Sequence, residues 1–316
     1  MNKEIPDIRT IQEAHERIGS WIHRTPVLTS TSINKILGTQ IFFKCENLQK
    51  IGAFKFRGAS NVVLSLSEQE SKNGVATHSS GNHAQALALA GANRGINAYI
   101  VMPKTSTKVK VAAVEGYGGK ITFCEPNQQA REQALEKIVS ETGAHFIHPY
   151  NDYRIIAGQA TAAVELLEET TDLDYIMAPV GGGGLLSGTA LSTHYLSPNT
   201  QVFAGEPEGA NDAWQSLREG KIVPSVNPST IADGLLTSLG DKTFPIIQKY
   251  VAGIFTVPDD LIIAAMKLIW ERMKIIIEPS GAVPLAALIK NQSVFKDKRV
   301  GIILSGGNVD LERLPF

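Results

Sequence analysis

At 316 residues, with 43% hydrophobic and 19% charged side chains, the chain has material for one large domain or two moderate ones with buried cores. Thirty basic residues against 31 acidic give a formal charge of −1, and no segment gathers the cations into a stripe, which argues against nucleic acid as the main partner. Cys45 and Cys124, the two cysteines, stand far apart outside any C-x-x-C spacing, so neither a disulfide framework nor a thiolate zinc site is indicated and a reducing cytoplasm fits.

The opening stretch to Gly19 is polar and amphipathic without an apolar central region, and it reads as a surface helix rather than a secretory signal. A strand "IFFKCE" (41–46) follows, then "IGAFKFRG" (51–58), then a helix from about Arg57 to Ser67. Within the octet, Lys55 sits between Phe54 and Phe56 and two residues from Arg57. Two readings stand side by side. One is a lysine whose stem lies on apolar surface with its head in water. The other is an amine whose pKa is lowered by desolvation and a neighbouring cation, ready to attack a carbonyl.

From Gly74 short apolar runs alternate with amphipathic stretches: "GVATHS", "NAYIVMP", "KITFCE" and "AHFIHP" as strands, separated by helical patterns. After a helical "IIAGQATAAVELLEET" a second series follows, with strands "DYIMAPV", "TQVFAGE" and "RVGIILS" and helices "LLSGTALSTHYL" and "DDLIIAAMKLIWERMK". This order predicts an α/β protein with parallel sheets covered by helices. It suggests two lobes: residues 1–70 and 150–316 as a large domain, and 71–149 as a small one, with the cleft between them as the ligand site. The apolar stretch "DYIMAPVGGGGLLSGTAL" is broken by Pro179 and four glycines and is not expected to span a membrane.

Three turns at strand ends carry chemistry. "VGGGGLLSG" (180–188) offers bare amides and a helix start, suited to phosphate. It satisfies neither the G-x-G-x-x-G dinucleotide spacing nor a P-loop, since Leu186, Ser187, Thr189 and Ala190 stand where those motifs need other residues. "THSSGNHAQ" (77–85) suits a carboxylate, or its Ser79, Ser80 or Asn82 simply caps a helix. His78 and His83 have no acidic neighbour in sequence and read as structural histidines rather than metal ligands. "SGGN" (305–308) follows the last strand. A shielded lysine, a phosphate cradle, a carboxylate cradle and a strand-end hydroxyl together fit an aldehyde phosphate acting on an amino acid, which is pyridoxal 5′-phosphate.

The ordered motifs "TPVLTS" (25–30), "FFKCENLQKIGAFKFRGA" (42–59), "SSGNHAQA" (79–86), "GYGG" (116–119), "PVGGGGLLSG" (179–188), "GEPEGANDAWQS" (205–216), "TIADG" (230–234), "ERMKIIIEPSGA" (271–282) and "LSGGNVDL" (304–311) resemble the serine racemase and serine/threonine dehydratase family. These are fold-type II pyridoxal-phosphate enzymes, with the tryptophan synthase β-like fold. The resemblance implies Lys55 as the Schiff-base lysine, Phe54 against the cofactor ring, Asn82 on its phenolic oxygen, and Gly181, Gly182, Gly183 and Gly184 as the phosphate loop. It makes Ser305 the pyridine-nitrogen partner, and Ser79, Ser80, Gly81, Asn82 and His83 the substrate-binding turn. Ser80 holds the position of a second acid/base opposite the lysine, which points to racemase activity beside elimination. Serine would give D-serine or pyruvate, and threonine 2-oxobutanoate, with ammonia released by elimination.

By the same resemblance, Glu206, the Ala210 carbonyl and Asp212 would hold magnesium, or calcium or manganese, where the residues alone would read as a solvated acidic loop. Ser30, Thr31, Lys50 and Tyr117 occupy places comparable to an ATP effector site, although the chain departs from the eukaryotic racemases at Ala84 and along "HPYNDYR". A homodimer is implied, and no C-terminal regulatory domain is expected. A threo-3-hydroxyaspartate dehydratase would share these motifs and need a cation for a second carboxylate, for which Arg154 is the candidate. A phosphate-ligand sensor without chemistry is the reading outside enzymes.

Overall fold

Apolar runs without polar alternation become central strands, because only a sheet covered on both faces buries every side chain. In chain order the strands are β1 Val27–Leu28, β2 Gln40–Cys45, β3 Val75–His78, β4 Ala98–Pro103, β5 Lys120–Cys124, β6 His145–Phe146, β7 Tyr175–Pro179, β8 Gln201–Pro207, β9 Gly253–Val257 and β10 Arg299–Leu304. In this computed structural model, which describes residues 4–316, they build two sheets. The larger runs β1-β2-β10-β7-β8-β9 and is parallel except where β1 meets β2. The smaller runs β5-β4-β3-β6 and is parallel throughout. This is the expected α/β architecture.

The helices are α1 Ile8–Ile18, α2 Thr31–Leu37, α3 Lys55–Ser65, α4 Glu68–Ser71, α5 Asn82–Arg94, α6 Lys108–Gly116, α7 Gln128–Thr142, α8 Tyr153–Glu169, α9 Gly184–Leu196, α10 Asp212–Glu219, α11 Thr243–Tyr250, α12 Asp259–Met273, α13 Pro279–Lys290 and α14 Gln292–Phe295. α1 is the expected amphipathic helix, capped by Asp7 accepting from the Thr10 amide at 2.8 Å and burying Ile11, Ala14 and Ile18. Residues 1–3 of that stretch lie outside the described residues. The glycine run parts β7 from α9, and among the described residues no helix is long and apolar enough to cross a membrane.

α3 starts two residues earlier than its sequence pattern suggests, at Lys55 itself. It also belongs to both halves of the molecule. Phe56, Ala59, Val62 and Val63 share one core with Val75, Leu87, Ile100 and Met102 around the smaller sheet. Its other side crosses α8 so closely that a Cβ on Gly158 would stand 2.6 Å from the Gly58 Cα. Several elements escape the sequence pattern, β9 and α13 among them. β9 lies at the sheet edge and is only half buried, so it lacks a continuous apolar signal. α13 carries Pro279, Gly281 and Pro284, all helix-breaking signals, yet nine of its residues from Ser280 to Leu288 are buried. Pro279 sits in the first turn, where its missing N–H costs nothing, and burial of Val283, Leu285 and Leu288, about 1.5–3 kcal/mol each, outweighs the interior proline.

Parallel register places the carboxyl ends of β2, β7, β10 and, across the cleft, β3 toward one chamber. Leu304 pairs with Cys45, so the turns leading to Lys55 and Ser305 leave the sheet side by side.

Candidate active site

Lys55 is held by backbone before its side chain does anything. Ile51 and Gly52 both take left-handed conformations, and a Cβ on Gly52 would stand 2.7 Å from Asn308 Oδ1. Asn308 Nδ2 donates to the Ile51 carbonyl at 2.8 Å, Gly307 N to Gly52 O at 2.9 Å, and Phe54 N to Ser305 O at 3.0 Å. The loop before α3 is thereby fastened to the loop after β10, setting Lys55 beside Ser305, which is 2% exposed.

The Lys55 ammonium donates to the Pro149 carbonyl at 3.0 Å and lies 5.2 Å from the centre of the Phe54 ring. Burial lowers its pKa to about 8, with the Glu278 carboxylate opposing the shift. The expected role of Arg57 as the cation that lowers it is corrected. Residues 55 and 57 point to opposite sides of a helix, and Arg57, fully buried, spends its guanidinium elsewhere. It forks to Glu46 at 2.7 and 2.8 Å and to Glu165 at 2.7 and 2.7 Å, while Lys44 reaches Glu165 at 2.7 Å. Two cations and two carboxylates neutralise one another behind the helix start. Lys55 is tuned by desolvation.

The glycine loop and the Ser79–Asn82 turn face Lys55 across a cavity of about 900 Å³ that is also lined by Phe54, His83 and Ser305. Gly183 has φ +88°, and a Cβ on Gly182 would run into the Tyr150 ring, so both positions demand glycine. The amides of Gly181, Gly182 and Gly183 donate to no protein acceptor among the described residues, and α9 begins at Gly184. Free amides over a helix N-terminus fit a phosphate. In the opposing turn the capping alternative is not realised: α5 has Gly81 at its N-cap and no side-chain cap. Ser79 Oγ accepts from the Gly81 amide at 3.3 Å, and Ser80 lines the cavity. Asn82 donates to Glu278 at 2.9 and 3.2 Å and accepts from Asn308 at 2.8 Å.

Glu278 is a site residue the sequence reading missed. It stands at the N-cap position of α13, but its carboxylate caps no amide and reaches Asn82 instead. Burial and Asp233 raise its pKa to about 7 against the Asn82 hydrogen bond. Three imidazoles share the wall. His83 is buried with neither ring nitrogen hydrogen-bonded, so it is not the satisfied histidine expected, and its pKa is pushed well down, chiefly by burial. Burial likewise lowers His78, and takes His148 to about 4. His148 Nδ1 accepts from Asn151 N at 2.9 Å, which puts its proton on Nε2.

Two cations line the cavity farther from Lys55. Lys110 pairs with Asp233 at 2.5 Å; among the described residues Arg131 forms no ion pair, and its Nε is buried without a partner. Arg154, the cation expected for a second carboxylate, is corrected: it pairs with Asp152 at 3.2 Å and does not line the cavity.

In the acidic loop Glu206, Ala210 and Asp212 are buried, while Glu208 between them is exposed. Glu206 accepts from the Ala213 and Trp214 amides at 2.8 Å each, and Asp212 Oδ2 makes no hydrogen bond. Burial raises Glu206 to about 8 and Asp212 to about 6. An orphaned buried carboxylate oxygen beside a second carboxylate fits a hard cation, although the described residues contain no cluster of three or more His, Cys, Asp or Glu side chains. Of the nucleotide candidates, none lines the Lys55 cavity. Ser30 Oγ caps α2 through the Ile33 amide at 3.4 Å, Thr31 opens that helix, Lys50 lies 5.9 Å over the Phe56 ring, and Tyr117 packs at the end of α6 on the core of the smaller sheet.

A partly neutral lysine between a bare-amide cradle and a polar turn, at the carboxyl ends of parallel strands, defines a pyridoxal-phosphate enzyme of fold type II. Comparison with known proteins agrees: the family model described as pyridoxal-phosphate dependent enzyme matches residues 18–306, and the chain belongs to that family. It is 52% identical to serine racemase of Arabidopsis thaliana, over 99% of this chain and 96% of that one. It is 50% identical to beta-hydroxyaspartate dehydratase of Paracoccus denitrificans, over 99% of each. The solved structure of maize serine racemase superposes with a TM-score of 0.96 at 45% identity, over 98% of this chain and 95% of that one. The family resemblance read from the motifs is borne out.

Proposed function

We propose that the protein converts small hydroxy-amino acids, racemising serine and turning L-serine and L-threonine into 2-oxo acids and ammonia, the β-hydroxyl leaving as water that hydrolysis of the resulting imine takes up again, with Lys55 and Ser80 on the two faces of the substrate. The observation that carries this is the Lys55 amine, lowered to about pKa 8 and opening into one cavity with the glycine cradle and the Ser79–Asn82 turn. Bound pyridoxal phosphate supplies an electron sink conjugated to Cα. The free amides of Gly181, Gly182 and Gly183 would hold its phosphate, the Ser305 hydroxyl would serve its ring nitrogen as a neutral partner, and Asn82, oriented by Glu278 and Asn308, would serve its phenolic oxygen. The substrate carboxylate lies in the Ser79–Gly81 turn. Lys55 Nζ, neutral in part at physiological pH, takes the proton from Cα. The Ser80 hydroxyl returns one from the other side when the outcome is racemisation.

Ser80→Ala tests the division of labour: D-serine formation is lost while pyruvate formation from L-serine is largely kept, and equal loss of both removes the role given to Ser80. A second reading has its own support. The unpaired Arg131 in the cavity suits a distal carboxylate, and a relative at 50% identity is a beta-hydroxyaspartate dehydratase. Product analysis with L-serine, L-threonine and threo-3-hydroxyaspartate, with and without magnesium, separates the two. Magnesium, with calcium or manganese as substitutes, would be held by Glu206, Asp212 and the Ala210 carbonyl and would support the active fold. ATP stimulation, a homodimer and a cytoplasmic location rest on the resemblance and the cysteine usage. Initial rates with ATP, light scattering and cell fractionation test them in turn.

A further inference from the structure

Among the described residues one ion pair joins the elements of the two sheets. Lys110 lies in α6, packed against the smaller sheet, and Asp233 in a short turn, Asp233–Leu235, that packs against α13 and the larger sheet. Their charged atoms are 2.5 Å apart, their side chains are 31% and 55% exposed, and both line the cavity that contains Lys55. Deeper in, the sheets are joined by the Asn82–Glu278 hydrogen bonds, and the turn carrying Asp233 is tied to the same place by Gly234 N donating to Ser280 Oγ at 3.1 Å. The rim pair and the inner contact therefore close the cleft over the same few residues.

A pair this exposed is a poor structural brace, because water and salt compete for both charges. That weakness suits a contact that opens and closes. An amino acid entering the cavity is a zwitterion, and its carboxylate and ammonium match Lys110 and Asp233 respectively, so it can exchange partners with the pair on its way in. Once the substrate is inside, the pair re-forms across the mouth.

We propose that Lys110 and Asp233 form a substrate-exchanged latch at the cleft mouth, which closes the two sheets over the bound amino acid and sets its retention. The proposal rests on the Lys55 cavity being the amino-acid site. The latch lies at the rim, so its loss acts on substrate retention ahead of the chemical step: KM changes more than kcat.

The test uses the holoenzyme and three variants: Lys110→Met, Asp233→Asn, and the exchange of charges Lys110→Asp/Asp233→Lys. Each single variant should raise KM for L-serine about fivefold, the ratio that corresponds to one exposed ion pair of ~1 kcal/mol, with kcat changed less. The reversed pair should recover most of that loss. Half-molar sodium chloride should raise KM in the parent enzyme and much less in the single variants. A second measurement does not depend on turnover: amide exchange of residues 108–116 should be slowed by L-serine in the parent and the reversed pair, but not in the single variants. Failure of the reversed pair to recover KM, or single variants with parental KM and parental exchange, overturns the latch. If the parent neither turns over nor binds L-serine, the proposed function fails instead; the latch then stands or falls on whether salt alone speeds exchange of 108–116 in the parent and not in Asp233→Asn.

Discussion

Replacing Arg57 with methionine probes the buried charges that set the start of α3. The guanidinium makes four contacts of 2.7–2.8 Å to Glu46 and Glu165, all of them out of water. Its loss leaves two buried carboxylates with Lys44 as their one buried cation. Removing one partner of a buried network costs roughly 3–5 kcal/mol, a large part of a folding stability of about 5–15 kcal/mol. The sign with pH follows from Glu165, whose pKa the Arg57 and Lys44 partners hold below its usual value against burial. In the parent that contribution is present above the unfolded pKa and is lost as pH falls through the folded one. In the variant Glu165 keeps Lys44 but loses the guanidinium, so its pKa is lowered less against burial and the stability that this lowering contributes at neutral pH shrinks; the deficit is therefore larger at pH 7 than at pH 5. Urea unfolding of the holoenzyme at several pH values between 5 and 8 measures this. A deficit below about 1 kcal/mol, or one independent of pH, refutes the buried quartet as a stabilising clamp.

Arg131→Met should lower kcat/KM for threo-3-hydroxyaspartate at least about tenfold relative to L-serine, the scale of a charge-assisted contact, while Arg154→Ala leaves the ratio unchanged; competitive product analysis reads both. Magnesium should raise the melting temperature, and more at pH 8 than at pH 6, because protons held by Asp212 and Glu206, with pKa values of about 6 and 8, compete for the same oxygens. Asp212→Asn should abolish that increment, as thermal melts with EDTA and with magnesium will show.

Most of what was legible in the sequence lies where backbone demands are strict. The glycine run, the strand-end turns and the lysine between aromatics each have a local reason, and the parallel strands show as continuous apolar runs. Other features depend on distant partners. The direction of Arg57 is decided by Glu165, more than a hundred residues away. Glu278 stands before a helix that its own prolines and glycine hide, and only its contact with Asn82 makes it a site residue. Arg131 lies on a helix that reads as an ordinary amphipathic element, whereas Arg154, beside a motif, drew attention and turned out to pair with its neighbour Asp152. β9 and α13 were hidden because an edge strand is half wet and because two prolines and a glycine outweigh burial that no local pattern reveals.

The most direct measurement is borohydride reduction of the purified protein after incubation with pyridoxal 5′-phosphate, followed by peptide mass mapping. The phosphopyridoxyl group should appear on Lys55 alone, and the visible absorbance of the bound cofactor should be absent from Lys55→Ala. A label spread over surface lysines with Lys55 untouched, or a protein that stays colourless at excess cofactor, would contradict the assignment of that amine.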